Sequence, residues 1–334
     1  MKFVKGLAMA GLAATCAVSF ASCGGGSDAD YTVGILQYVT HDALDKATDG
    51  FKTELKAKAE AEGKTIKFIE KNPQTDQTLM QTMATNLVRK CDLVLGNATP
   101  AATALQTAAA TEGKKKLPIL FTSVTDPAEA GLVKSNAEPG GQVTGTSDIN
   151  PVDQQIDLIV DLKGNDCKIG FFYSIDEVNS KSQCDAAIEY IKENYTNVTY
   201  ETKTISDQNQ IGAQATTLCN NGVDAIYIPT DNRLASNMTA VANVTNEKKV
   251  PLICGESSMV DNGGTFTLSI SYYELGVTTG EMAWDCMFNG KSPSTMAVQS
   301  QTDISKFEFV KNDTAISAMG ITLTDEFKTK YNIQ

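Results

Sequence analysis

Residues 31–38, YTVGILQY, and residues 167–174, CKIGFFYS, are two copies of one pattern. Each is a short run of Val, Ile, Leu and aromatic residues around one glycine, Gly34 in the first and Gly170 in the second. The correspondence continues outward. CDLVLGNATPAATAL (91–105) answers to VDAIYIPTDNRLASN (223–237) through Asp92 and Asp224. KKLPILFTSVTD (115–126) answers to KKVPLICGESSM (248–259) through Pro118 and Pro251. Every member is an apolar run that breaks into a polar loop of Asn, Thr, Ser, Asp or Glu. Continuous apolar runs of this length suit strands buried on both faces of a parallel sheet. The segments between them carry helical patterns, so each half reads as a βαβ series. The predicted fold class is therefore α/β, with two similar doubly wound parallel-sheet lobes. Ligands of such sheets bind beyond the carboxyl ends of the strands, and the polar loops point to a cleft between the lobes.

The amino terminus follows a different logic. Lys2 and Lys5 precede an apolar stretch from Gly6 to Phe20, and Phe20-Ala21-Ser22-Cys23 follows. Residues 1–22 read as an export signal, too short for a membrane span. Cys23 sits as in the lipobox of bacterial lipoproteins, where the signal is cut before the cysteine and the thiol is acylated. Phe20 stands where Leu is usual, and an ordinary secretory signal that happens to contain Cys23 is the alternative. Residues 23–30, with GGGSDAD after the cysteine, read as a flexible tether. The expected location is extracytoplasmic, with membrane contact through the lipid anchor only. The remainder is long enough for two domains of about 150 residues each.

All 40 acidic residues lie beyond the leader, against 28 Lys and Arg in the whole chain, for a formal net charge of −12. An acidic chain without a basic stripe makes no case for nucleic acid as a partner. Beyond Cys16 and Cys23 the cysteines are Cys91, Cys167, Cys184, Cys219, Cys254 and Cys286, and no pair has C-x-x-C spacing. Metal and redox motifs find no support, and small buried hydrophobes are the simpler reading.

The expected division places lobe I at 31–148 plus 258–300 and lobe II at 149–257 plus 301–334. A strand over 265–270 and a helix over 273–288 are expected to return to the first lobe. Crossings near Ile149, Ser257 and Ser300 make a three-crossing hinge.

The strand-end loops nominate the ligand-binding residues. Gln37, His41, Asn97, Thr99, Thr122 and Ser123 come from the first lobe, and Tyr173, Asn179, Ser180, Asp231, Asn232 and Glu256 from the second. Helix starts with Asn97, Thr99 and Ser123 suit a ligand carboxylate. Asp231 and Glu256 suit an ammonium group. Together they describe an α-amino acid, with Tyr38, Phe121, Tyr173 and Tyr273 as candidates for an apolar wall, and the core as the alternative for Tyr38 and Tyr273. The bland alternative for Asn97, Thr99, Thr122 and Asp231 is helix capping. One histidine, no zinc spacing, no P-loop and no G-x-S-x-G leave no catalytic constellation and imply no cofactor.

Seven segments in order, YTVGILQYVTHDALDKATDGF, LGNATPAA, FTSVTDPAEAGLV, PGGQVTGTSD, SIDEVNSKSQ, YIPTDN and YYELGVTTGEMA, carry a family resemblance. Together they resemble the substrate-binding lipoproteins of ABC transporters that include tryptophan- and tyrosine-binding members. Asp42 stands where that family commonly has Pro after the His. The resemblance implies a type I periplasmic-binding fold, a permease and its ATPase as partners, and an aromatic amino acid as ligand. A lipoprotein of the same fold that senses a ligand and signals is the alternative function.

Overall fold

The computed structural model describes residues 29–301 and 306–333. The leader, Cys23 and the tether up to residue 28 lie outside the described residues. Asp30, expected to be the end of the tether, is fastened to the fold. Its carboxylate accepts the Thr65 N–H at 2.8 Å, and its own N–H donates to Thr65 Oγ1 at 3.0 Å. Among the described residues no helix is long and apolar enough to cross a membrane.

The first sheet holds β1 (Tyr31–Gln37), β2 (Ile66–Lys71), β3 (Leu93–Asn97), β4 (Ile119–Thr122), β5 (Val143–Ser147) and β11 (Gln299–Ser300). The second holds β6 (Lys168–Ser174), β7 (Thr199–Ile205), β8 (Ala225–Ile228), β9 (Leu252–Cys254), β10 (Phe266–Ser269) and β12 (Glu308–Lys311). Their spatial orders are β2-β1-β3-β4-β5-β11 and β7-β6-β8-β9-β10-β12, the same arrangement twice. Strands pair in parallel except β10 with β12, which is antiparallel at the sheet edge.

The helices needed below are α1 (Asp42–Ala61), α2 (Gln77–Lys90) and α3 (Thr99–Thr111) in the first half. Then come α4 (Val152–Lys163), α5 (Val178–Asn194), α6 (Ile211–Asn220), α7 (Asn232–Ala235), α8 (Met238–Lys248), α9 (Ser257–Asp261) and α10 (Tyr272–Met287). Helix α2 begins only at Gln77, four residues after Pro73. Asn72 instead turns the chain by accepting the Gln74 N–H, and Asp76 caps the helix.

The internal repeat is structural as well as textual. Asp92 accepts the N–H of Thr32, and Asp224 accepts that of Lys168, both at 2.8 Å. The carbonyls of Pro118 and Pro251 accept from Val94 and Ile226. A Cβ on Gly34 would lie 2.9 Å from Cys91 Sγ and 3.0 Å from Leu87 of α2; one on Gly170 would lie 3.1 Å from Leu218 of α6. Each glycine thus seats the second helix of its lobe against the first strand. Both faces of each sheet are covered, which explains the unbroken apolar runs. Val33, Ile35, Leu93 and Leu95 pack with Phe51 and Leu55 of α1, whereas Leu36, Val94 and Phe121 pack with Leu87 and Leu105 of α2 and α3.

One boundary is corrected. The strand expected to return to the first lobe, β10, belongs to the second sheet, between β9 and β12. It is the fifth strand of its lobe as β5 is of the other, and omitting it would leave the second sheet one strand short. The crossing placed near Ser257 therefore falls between Ser269 and Tyr272. After each fifth strand the chain changes lobe. Helix α4 packs in the second lobe with Ile169 and Ile191, and α10 packs on α1 of the first. The α1–α10 contact depends on small residues, because a Cβ on Gly50 would meet Tyr273 O at 2.2 Å and one on Gly276 would meet Ala47 O at 2.0 Å.

Candidate functional site

The loops beyond the strand ends of the two sheets face each other and touch. His41 Nε2 lies 3.2 Å from Asn232 Oδ1, and Thr125 Oγ1 lies 3.2 Å from Thr230 Oγ1. Ser182 donates to Glu129 at 2.5 Å, and Asn262 donates to Asp42 at 3.1 Å. The lobes are closed. Between them lies a narrow cavity walled on one side by His41, Leu44, Ser123, Thr125, Asp148 and Tyr272. Asn179, Thr230, Asp231, Asn232, Ala235, Glu256 and Met259 wall it on the other. In this closed arrangement the space is little wider than a water molecule, so a larger solute can enter only when the lobes part.

Three buried carboxylates line this space and a fourth, Glu177, stands behind Asn232, and each is held by donors. Asp148 accepts from Thr125 Oγ1 at 2.9 Å and from the Tyr272 hydroxyl at 2.8 Å. Asp231 accepts the Ser174 N–H at 2.5 Å, the Ser174 hydroxyl at 2.9 Å and the Leu234 N–H at 2.9 Å. Glu256 caps α9 through the N–H groups of Ser258 and Met259 at 2.6 and 3.1 Å. Glu177 accepts from Asn232 Nδ2 at 2.6 Å and from the backbone of Asn232 and Arg233, both at 3.1 Å. Burial raises all four above their ordinary values, Glu256 to about 7, and the charge of Asp231 raises Glu177 further. Burial pushes His41 down to about 4, so the imidazole is neutral at pH 7. The nearby cation, Arg233, is taken by a bidentate pair with Asp176 at 2.6 and 2.7 Å. Among the described residues no Lys or Arg lines the cavity. Its charge balance therefore favours a cationic guest.

The unpaired polar atoms gather in the same place. Six buried side-chain polar atoms among the described residues have no partner, and five belong to the strand-end loops: His41 Nδ1, Asn97 Oδ1, Thr99 Oγ1, Ser123 Oγ and Asn179 Oδ1. An unmet buried polar group costs about 1–3 kcal/mol, so a solute that pairs with such atoms gains from each. Two non-glycine residues there hold a left-handed backbone, Ala98 at φ 84° and Ser123 at φ 55°. Strain of this kind collects where the surrounding structure must aim a group.

Of the residues nominated from the sequence, His41, Ser123, Asn179, Asp231, Asn232 and Glu256 line the cavity. The others stand behind it. Gln37 accepts from Thr48 at 2.7 Å, and Asn97 donates to Leu44 O at 2.8 Å and Thr48 Oγ1 at 2.9 Å, tying α1 to the sheet. Thr99 is the first residue of α3, and its Oγ1 is among the unpaired atoms. Thr122 accepts from Thr146 at 3.1 Å inside the first sheet. Ser180 is fully buried and supports Asp231.

The expected aromatic wall is corrected. Tyr173 shares a strand face with Phe171 and packs into the core on the far side of the second sheet. Phe121 is a core residue of the first lobe, and Tyr38 is buried in the same cluster close to the charges of Glu177 and Arg233 on the facing lobe, outside the cavity lining. Tyr273 is exposed, at 39%, whereas its neighbour Tyr272 is buried in the cleft. One residue along a helix is a rotation of about 100°, which a pattern without a known face could not assign. Asp148 and Tyr272 are among the lining residues not nominated from sequence, with Leu44, Thr125, Thr230, Ala235 and Met259. Asp148 follows β5 as Ser123 follows β4, so the strand-end rule could have found it.

Two closed α/β lobes with buried polar groups converging between their strand ends define a solute-binding protein of the periplasmic-binding class. The chain belongs to the ABC transporter substrate binding protein family, whose sequence model it matches over residues 32–331. It is 37% identical over 300 residues to the tyrosine-binding protein of Clostridioides difficile (strain R20291), covering 90% of this chain and 84% of that one. The structure superposes with a TM-score of 0.81 on a Streptococcus pneumonia ABC domain in complex with L-Trp, at 34% identity, covering 90% of this chain and 98% of that one. Against the ligand-free, open structure of a Clostridium difficile substrate binding protein with adhesive properties the TM-score is 0.66, at 35% identity, covering 88% and 96%. At nearly the same identity the poorer global fit to the open protein is what a different angle between the lobes would produce.

Proposed function

We propose that this chain captures an α-amino acid with an aromatic side chain by closing its lobes, and delivers it to the permease of an ABC importer driven by its ATPase. The observation that carries this reading is the interlobe cavity, in which buried carboxylates and unpaired polar atoms meet with no Lys or Arg among the described lining residues. A zwitterion satisfies both sets: its ammonium answers the acids, and its carboxylate answers Ser123 and the start of α3. The aromatic preference rests on the likeness to the tyrosine-binding and L-Trp-bound relatives.

The test is calorimetry and thermal unfolding with each common amino acid. Tyrosine or tryptophan at about 100 times its dissociation constant should add roughly 2.7 kcal/mol of stability. Failure of every amino acid to bind would remove the reading. Delivery to a permease predicts that deleting the gene abolishes uptake of the radiolabelled ligand. The family role and the leader further support an extracytoplasmic protein anchored by lipid at Cys23. Cys23→Ser should leave the protein unanchored without changing its affinity, as detergent phase partitioning would show.

A further inference from the structure

The hydrogen-bond chain through Asn232 decides which way the single histidine faces, and so what it can recognise. Asn232 Nδ2 donates to Glu177 Oε2 at 2.6 Å. Its carbonyl Oδ1 must then be the atom turned toward the first lobe, 3.2 Å from His41 Nε2. An amide oxygen only accepts, so Nε2 carries the imidazole hydrogen. The ring is neutral because burial holds it well below pH 7, which leaves Nδ1 as a bare lone pair. Nδ1 is buried and has no partner. Across the cavity the same logic applies to Asn179, whose Nδ2 donates to Thr230 O at 2.7 Å and whose Oδ1 is buried and unpaired. His41 and Asn179 both line the cavity, one from each lobe, and each keeps one buried, unpaired acceptor.

We infer that His41, fixed as the Nε2–H tautomer, is a specificity-determining residue whose Nδ1 accepts an N–H of the ligand ammonium, with Asn179 Oδ1 as its counterpart on the facing lobe. This rests on the amino-acid reading above and deepens it. A neutral hydroxyl could also fill an acceptor, but Asp148, Asp231 and Glu256 line the same space and favour a donor that is cationic. Since each lobe supplies one acceptor, a single ammonium bridges the two and couples recognition to closure.

The sequence holds one histidine, so ¹⁵N NMR of the imidazole reports His41 alone. With L-tyrosine or L-tryptophan at saturation, Nε2 should be protonated and Nδ1 unprotonated, with its resonance displaced as it accepts a hydrogen bond. A complementary binding series compares wild type with His41→Phe against L-tyrosine and its desamino analogue, which keeps the phenol and the carboxylate. His41→Phe also removes the Nε2–Asn232 bond between the lobes, so both ligands should weaken, and L-tyrosine should lose roughly ten- to a hundredfold more than the analogue, the extra loss expected of one charge-assisted bond. An Nδ1–H or doubly protonated ring in the complex overturns the inference while leaving amino-acid binding intact. So does an equal loss for both ligands, which would confine the role of His41 to the Asn232 contact, the phenol or packing. Should His41→Phe fail to fold, the NMR measurement on wild type decides. Absence of binding by any amino acid overturns the inference together with the reading beneath it.

Discussion

Asp231 shows how two roles compete for the same oxygens. As a helix cap it needs to accept one backbone N–H, and on sequence grounds Asn would do this as well as Asp. In the structure both carboxylate oxygens are used, one by the Ser174 N–H at 2.5 Å and the other by the Ser174 hydroxyl and the Leu234 N–H. Asn has a single accepting oxygen, so Asp231→Asn leaves a buried N–H facing an amide donor. We expect the ligand-free variant to lose about 1–3 kcal/mol in urea denaturation, and an unchanged midpoint would show that these bonds contribute nothing. Glu256 makes a related prediction for pH. Its folded-state value near 7, raised by burial from 4.5, means that the folded protein binds more protons than the unfolded chain between those values. Stability of the ligand-free protein should therefore fall as pH rises through that window, by about 3 kcal/mol for this group at full ionisation. Asp231 and Glu177 act in the same direction. Glu256→Gln keeps one accepting oxygen, gives up one of the two α9 N–H bonds and removes the titration, so its urea midpoint should start lower but fall less steeply between pH 5 and 8. Equal slopes in the two proteins would refute the assignment.

At the level of elements, the exchanged helices explain why each lobe needs the other half of the chain. Helix α10 comes late in sequence but covers one face of the first sheet, with Met282 and Ala283 against Leu95 and Leu120. Its approach to α1 leaves no room for a methyl group at Gly276, where a Cβ would lie 2.0 Å from a backbone oxygen. Gly276→Ala should cost about 1–3 kcal/mol through overpacking, despite the better helix propensity of Ala. Gly212, in α6, meets nothing within 4 Å. There the same substitution should stabilise by about 0.4–1 kcal/mol. Thermal melts of the two variants should move in opposite directions, and a shared direction would mean that propensity outweighs packing at this interface.

For the whole molecule, the closed arrangement rests on a few polar bonds between lobes, such as Thr125 with Thr230 and Glu129 with Ser182. Such contacts are individually weak, so the free protein should populate an open form that a bridging ligand shifts to the closed one. Small-angle scattering should give a smaller radius of gyration at saturating L-tyrosine or L-tryptophan than without ligand. An identical profile in both conditions would exclude capture by closure.

Much of this was legible in the residues. The repeated apolar runs identified buried parallel strands because only such strands need apolar side chains on both faces, and the paired Asp92 and Asp224 proved to fasten equivalent strands. The strand-end rule located the polar loops, including His41, Ser123, Asn179, Asp231, Asn232 and Glu256. Tertiary structure alone decided the rest. Which lobe β10 joins depends on pairing with β9 and β12, which are separate runs of the chain. Whether Tyr272 or Tyr273 meets the cleft depends on how α10 is rotated against α1. Which atom of His41 is left to accept depends on an amide 191 residues away in sequence. Local pattern specifies what a segment can form; contacts between distant segments determine which face it turns and which of its atoms remain unpaired.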